Sequence, residues 1–269
     1  MLEDLMLNLQ NLSEAAAPRR EFRCSGFPFC PLKWIADTLD PKKEITRFQS
    51  EFYMDVGTTV HRVLQKWMSR IQGGLFGNWK CLTCNATVSL SWSPQRCPGC
   101  GAAMEYEEVS FTEPTTGLTG HTDGLTRWKK DSDDLLVFDI KTIGVERLQN
   151  DDLPYWHNIE QVNAYAVLLR RLLKLPIKGF ALVYVTRDDP RVFRIIKTKK
   201  ISEDMLDANL NRFLIAEEAL KTRKFKEARK NRLCKTEADL EHNRCRLKSV
   251  CGNTDMIKQY FRSLADNIY

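Results

Sequence analysis

The chain has no apolar run long enough to cross a bilayer and no basic-then-apolar leader, so neither membrane insertion nor secretion is expected. It contains no internal repeat and no low-complexity segment. A phosphate-cradling G-x-x-x-x-G-K-[ST] loop is also missing, which argues against an ATPase motor within the chain. Neither sign of charge is in large excess, the net being +6. What is present is an ordinary globular composition, 43% hydrophobic and 28% charged. At 269 residues there is room for one large domain, or one domain plus a small module.

The cations are unevenly placed. Lys221, Arg223, Lys224, Lys226, Arg229, Lys230 and Arg232 stand against the single acid Glu227, and Lys235, Arg244, Arg246 and Lys248 follow. Such a run is either a solvated helix face or a surface that tracks phosphates. Cysteine is abundant, with nine residues. Without a leader their spacing favours metal binding in a reducing cytoplasm over disulfides.

Apolar spacing predicts a short helix over residues 2–12, and Cys30-Pro31 stands just ahead of another helical stretch. Thr58 and Thr59 offer N-caps for a helix carrying Val60, Val63, Leu64, Trp67, Met68 and Ile71, closed by Gly73-Gly74. His61 sits at the edge of that stripe, one turn from Gln65. Residues 79–105 then change character. Cys81-x2-Cys84 and Cys97-x2-Cys100 form a zinc ribbon pattern, two tight knuckles supplying four thiolates to a tetrahedral ion. Four protein ligands leave no open position, so this ion would be structural. Trp79 and Trp92 would either stack on bases or pack the ribbon core.

Strands are predicted near residues 107–112 and 118–128, at 135–142, and as a pair over 179–186 and 192–198; helices are predicted over 158–173 and from 202 to about 232. The stretch LLVFDIKT at 135–142 is the most informative. Residues two apart on a strand share a side, so Asp139 and Lys141 would face one pocket while Ile140 turns into the core. Asp123, in the GHTDG at 120–124, offers a second carboxylate. Two acids and a lysine at a sheet's mouth suit a divalent ion and polarisation of a phosphodiester. An incidental ion pair at a strand end is the competing reading.

Gly57-Thr-Thr-Val-His61, Gly120-His-Thr-Asp123-Gly, Asp139-Ile-Lys141-Thr and Gln161-Val-Asn-Ala-Tyr165 occur in that order. The chain thereby resembles the PD-(D/E)xK nuclease superfamily in its RecB-like branch, which includes helicase-associated exonucleases and CRISPR-adaptation nucleases with an iron–sulfur cluster. The resemblance spans roughly residues 30–251, omitting the ribbon. It implies an α/β fold: a restriction-endonuclease-like core with a mixed central sheet flanked by helices, an inserted zinc ribbon, and an iron–sulfur region joining the N- and C-terminal segments. The expected organisation is a helical part over 1–78, the ribbon over 79–105, the nuclease core over 106–200, and a basic helix with a cluster segment over 201–269.

The resemblance also implies roles. His61, Asp123, Asp139 and the carbonyl of Ile140 would ligate Mg²⁺ or Mn²⁺, the histidine tilting the preference towards Mn²⁺. Lys141 would orient the attacking water and stabilise developing charge. Gln161 and Tyr165, one turn apart, would line the site. Glu107 or Glu108 would match a further family acid. Cys30, Cys234, Cys245 and Cys251 would hold an iron–sulfur cluster, expected to be [4Fe–4S]. The family spacing places a ligand at His242, and Cys24 competes with Cys30; buried free cysteines are the alternative. The expected activity is a Mg²⁺- or Mn²⁺-dependent deoxyribonuclease, an exonuclease on single-stranded DNA ends, in the cytoplasm of a bacterium or a phage-infected cell. A helicase, recombinase or integrase would be its partner, in recombination, repair, phage or CRISPR DNA processing. The alternatives are a non-catalytic DNA-binding or scaffold subunit, and an endonuclease or end trimmer of CRISPR adaptation.

Overall fold

A computed structural model of the chain describes residues 13–16, 21–40, 44–94, 96–189, 191–233, 247–251 and 254–266. The helix expected over 2–12 lies outside these residues, as do Cys234, His242, Cys245 and the cations Lys235, Arg244 and Arg246.

The centre is a mixed sheet of seven strands. Strand β9 (Leu135–Ile143) runs parallel to β10 (Ile177–Thr186) on one side and antiparallel to β8 (Gly124–Arg127) on the other. Beyond β10 lies β11 (Phe193–Thr198). Beyond β8 lies β3 (Phe76–Cys81), which carries both β4 (Thr87–Trp92) and β5 (Met104–Glu107). Strands β6 (Val109–Thr112) and β7 (Thr119–Thr122) form a separate antiparallel ribbon. A second two-stranded ribbon joins β1 (Ser13–Ala16) to β2 (Glu44–Arg47).

The continuous apolar run of β9 has a simple cause: both of its faces are covered. Leu135, Val137 and Ile143 share a cluster with α4 (Trp156–Leu173), whose face from Val162 to Leu169 is fully buried. Leu136, Phe138 and Ile140 share the other cluster with Val60, Leu64 and Met68 of α2 (Phe48–Ser69). The period-two alternation therefore puts Asp139 and Lys141 on the α4 side.

Two helical expectations need correction. Helix α2 begins at Phe48, so Thr58 and Thr59 are interior residues and not N-caps; the Thr58 hydroxyl bonds back to Met54 O at 3.0 Å. Gly57 lies inside the helix, where a Cβ would fall 3.1 Å from Thr142 Oγ1, so the bare backbone lets α2 seat against β9. The long basic helix also divides. Helix α5 (Glu203–Thr222), capped by the Ser202 side chain, stops at Arg223, whose left-handed backbone (φ 57°) closes it; the short α6 (Lys226–Lys230) follows. Lys221, Arg223, Lys224, Lys226 and Lys230 are exposed, the last paired with Glu227.

Helix α1 (Pro31–Leu39) and the segment ahead of it are fastened to α5. Phe22 stacks on Phe213 at 3.9 Å, Trp34 Nε1 donates to Glu217 Oε1 at 2.8 Å, and Phe29 N donates to Asn209 Oδ1 at 2.7 Å. Cys24 and Cys251 lie in this same core, with Cys30, the N-cap of α1, packed against it. Cys251 closes α7 (Lys248–Cys251), and α8 (Thr254–Asp266) follows. Among the described residues no helix is long and apolar enough to cross a membrane.

Candidate active site

The ladder between β8 and β9 stops at Gly124↔Phe138. Asp123, the residue before β8, turns its side chain into the space this leaves. Its Oδ2 accepts the Ile140 amide at 2.6 Å, in place of a strand partner. The N–H and C=O of one strand residue point to the same edge, so the Ile140 carbonyl is directed to Asp123's side as well. Thr122 fixes the turn: its hydroxyl donates to Gly124 O at 3.1 Å and lies 3.3 Å from Phe138 O.

Helix α2 supplies two more groups, a turn apart. His61 Nδ1 lies 3.2 Å from Asp123 Oδ1. Gln65 Nε2 donates both to the Asp123 carbonyl and to Glu108 Oε1, each at 2.8 Å. Glu108 also lies 3.6 Å from His121 Nε2. Of the two candidate glutamates, Glu108 belongs to this network, whereas Glu107 is exposed on β5.

From β9, Asp139 and Lys141 face the same side, as the alternation requires. Lys141 Nζ lies 2.9 Å from Asp139 Oδ2 and donates to Gln161 Oε1 at 2.8 Å. Gln161 Nε2 in turn donates to the Tyr165 hydroxyl at 2.6 Å. The Asp139 contact is an ion pair without hydrogen-bond geometry, so Oδ2 of a residue only 3% exposed is left with no hydrogen-bond partner. Burial pushes the Asp139 carboxyl up to about 6; the charge of Lys141 opposes the shift and that of Asp123 adds to it. Burial alone would lower His61, but its bond to Asp123 and the charges of Asp123 and Asp139 outweigh burial and raise it.

The structure thus brings together His61, Asp123, Asp139, Ile140, Lys141, Gln161 and Tyr165. Gln65 and Glu108 complete the set. Gln65 was legible as the residue one turn after His61; Glu108 was one of two candidates from the resemblance, and its contact with Gln65 is seen only in the fold. His157 is a further neighbour, stacked on Tyr155 at 5.5 Å and lowered by burial and by the charge of Lys141.

The four cysteines of the knuckles also meet, all Sγ atoms lying within 4.8 Å of one another. Cys81 and Cys100 are 3.5 Å apart, as are Cys84 and Cys97. The two knuckles repeat one another. Cys81 N bonds Ala86 O and Asn85 N bonds Cys81 O, while Cys97 N bonds Ala102 O and Gly101 N bonds Cys97 O. Asn85 and Gly101 both take the left-handed backbone that closes such a turn (φ 58° and 76°). Trp79 is a core residue here, 1% exposed with Nε1 bonded to Ser91 O, and Trp92 lies half-buried under Arg127.

A mixed α/β sheet with two buried carboxylates and a lysine around its central strand defines a nuclease class of fold. The family model of the PD-(D/E)XK nuclease superfamily matches residues 81–252, and the chain belongs to that superfamily. No curated protein sequence matches it. A solved structure described as "Crystal structure of SSO0001" is similar over 93% of this chain and 93% of that one, at 11% identity and a TM-score of 0.40.

Proposed function

We propose that the chain is a divalent-metal-dependent deoxyribonuclease acting as an exonuclease on single-stranded ends. The observation that carries this reading is the pair of buried carboxylates, Asp123 and Asp139, that meet beside the Lys141 ammonium. Lys141 alone does not offset the burial of Asp139 next to a second carboxylate, since the Asp139 carboxyl stays raised to about 6, and a further cation would. Asp123, Asp139, the Ile140 carbonyl and His61 form an oxygen-rich donor set with one imidazole, which fits Mg²⁺ and, through the histidine, Mn²⁺. Such an ion would polarise a scissile phosphate and lower the pKa of a bound water.

The remaining work falls to the protein. Asp139 and Gln161 hold the Lys141 ammonium between them. From there it orients the attacking water and offsets charge developing on the phosphate oxygens. Tyr165 fixes the Gln161 amide so that its oxygen faces the lysine. The exposed cations Lys221, Arg223, Lys224, Lys226 and Lys230 would supply backbone contacts to a strand.

The same proposal gives the cysteines two structural sites. Sulfurs around a tetrahedral zinc at about 2.3 Å lie about 3.8 Å apart, close to the 3.5 Å contacts of the knuckles. Cys30 and Cys251, with Cys234 and Cys245, would hold a [4Fe–4S] cluster. Cys24 suits that role less, since burial pushes its thiol up and keeps it protonated. A helicase, recombinase or integrase partner completes the reading.

The test is cleavage of oligonucleotides blocked at the 5′ end, at the 3′ end or at both, with Mg²⁺ or Mn²⁺, on protein purified without oxygen. Degradation of open single-stranded ends and resistance of doubly blocked strands is expected. Cutting of doubly blocked strands would make it an endonuclease, and no cleavage with any divalent ion would sink the enzyme.

A further inference from the structure

A cavity of about 300 Å³ opens beside the catalytic groups, between the β6–β7 ribbon and the segment ahead of α1. Ser110, Thr112, Thr119 and His121 line it from the ribbon, Arg23 from the segment and Tyr165 from α4. Its position follows from backbone pairing. Ser110 stands opposite His121 and Thr112 opposite Thr119, which gives the ribbon a row of adjacent polar side chains. Thr119 N donates to Phe22 O at 2.9 Å and pulls the Arg23 segment alongside.

Two walls of this cavity are wired to the reaction centre. Tyr165 leads through Gln161 to Lys141. His121 leads through Glu108 and Gln65 to Asp123. A phosphate held between Asp123, Asp139 and Lys141 would therefore carry its attached nucleoside towards this space.

The chemistry of the lining says which part of a nucleotide enters. Glu21 also lines the cavity and is ion-paired with Arg23, so this charged pair is balanced. A phosphate gains little there. Hydroxyls, a neutralised guanidinium, and the rings of Phe111 and Tyr165 suit a sugar and a base edge. The Tyr165 hydroxyl, moreover, accepts from Gln161 and has no acceptor for its own proton among the described residues. The volume sits at the low end of small-molecule pockets, about 300–1,000 Å³, room for one nucleoside but not for a base pair. A base can enter only after leaving its stack.

We propose that this cavity is a nucleoside subsite, which receives the sugar and base of the nucleotide joined to the scissile phosphate. The assignment rests on the nuclease reading for its role, and it accounts for a preference for unpaired strands.

The experiment separates the two. Thymidine, which has no phosphate, and inorganic phosphate are titrated into the purified protein and followed by ligand-observed NMR. Thr112→Trp fills the cavity from an exposed strand position, and Arg23→Ala removes its guanidinium. Thymidine is expected to bind wild type and to bind each variant about tenfold more weakly or worse, with phosphate binding unchanged. Failure of thymidine to bind wild type, unchanged affinity in both variants, or displacement of thymidine by phosphate would each overturn the subsite. Thymidine binding in a protein that cuts no nucleic acid would instead sink the nuclease reading and leave the subsite standing.

Discussion

The Ile140 amide donates to Asp123 Oδ2 at 2.6 Å, so a side chain takes the place beside β9 that β8 vacates at Gly124↔Phe138. One hydrogen bond thereby fixes the spacing between the two parts of the chain that supply the carboxylates.

Asparagine and alanine at Asp123 should behave differently. Asp123→Asn keeps an acceptor for the Ile140 amide, so thermal stability stays near wild type while divalent-ion affinity and cleavage are lost. Asp123→Ala leaves a buried amide unpaired and costs about 1–3 kcal/mol in addition. Denaturation curves alongside metal titration would show the divergence; equal stability in the two variants would mean that the bond does not hold the turn.

Lys141→Ala should lower kcat by about 10²–10³-fold, the usual scale for removing one stabilising group from a developing charge. Metal affinity should be retained, since no metal ligand is lost. Single-turnover kinetics beside a Mn²⁺ titration would separate the two effects, and a variant as fast as wild type would remove the lysine from the mechanism.

Metal binding should depend on pH through Asp139, whose carboxyl is raised from the ordinary 3.8 to about 6 by burial. Below about 6 a proton competes with the ion, so apparent affinity should climb with pH, by up to tenfold per unit for one proton released, and flatten above. His61, also raised, adds a second competing proton. The metal-free protein should show the opposite trend: the Asp139 contribution falls as pH rises from about 3.8 to about 6, because the folded state binds the proton more tightly than the unfolded one. Calorimetric titrations and denaturation across pH 4–8 would check both signs.

Gly120→Ala should destabilise the chain by about 1–3 kcal/mol, the range for overpacking a filled core. The added Cβ would fall 2.6 Å from the Phe111 ring and 3.1 Å from that of Tyr165. Because Tyr165 anchors Gln161, cleavage should fall as well. Unchanged stability and unchanged rate would show that the rings can move aside.

Removing zinc, or substituting Cys84→Ser, should loosen the knuckles and with them β3, β4 and β5, seen as faster amide exchange in those strands. Elemental analysis should find one zinc per chain at this site. Absence of zinc would return the four cysteines to the status of thiols.

Local chemistry made a good part of this legible. Alternation alone puts Asp139 and Lys141 on one side of β9, and the Cys-x2-Cys pairs announce a four-sulfur site. Gln161 and Tyr165 share a face because they are four residues apart on a helix. Tertiary contacts supply the rest. Helix α2 runs ten residues further back than Thr58, straight through Gly57, whose bare backbone lies close against Thr142 of β9. The basic stretch breaks at Arg223 although no glycine or proline marks the spot. Glu108 joins the site through Gln65, a partner 43 residues distant in sequence.

The bare backbone at Gly57 makes the α2–β9 contact a joint with almost no clearance. Thr142 stands one residue beyond Lys141, and His61 stands one turn beyond Gly57 on α2. A helix pushed outwards there would draw the imidazole away from Asp123 while leaving Asp139 and Lys141 in place on β9. The site's tolerances are thus set at a position that contributes no functional group at all.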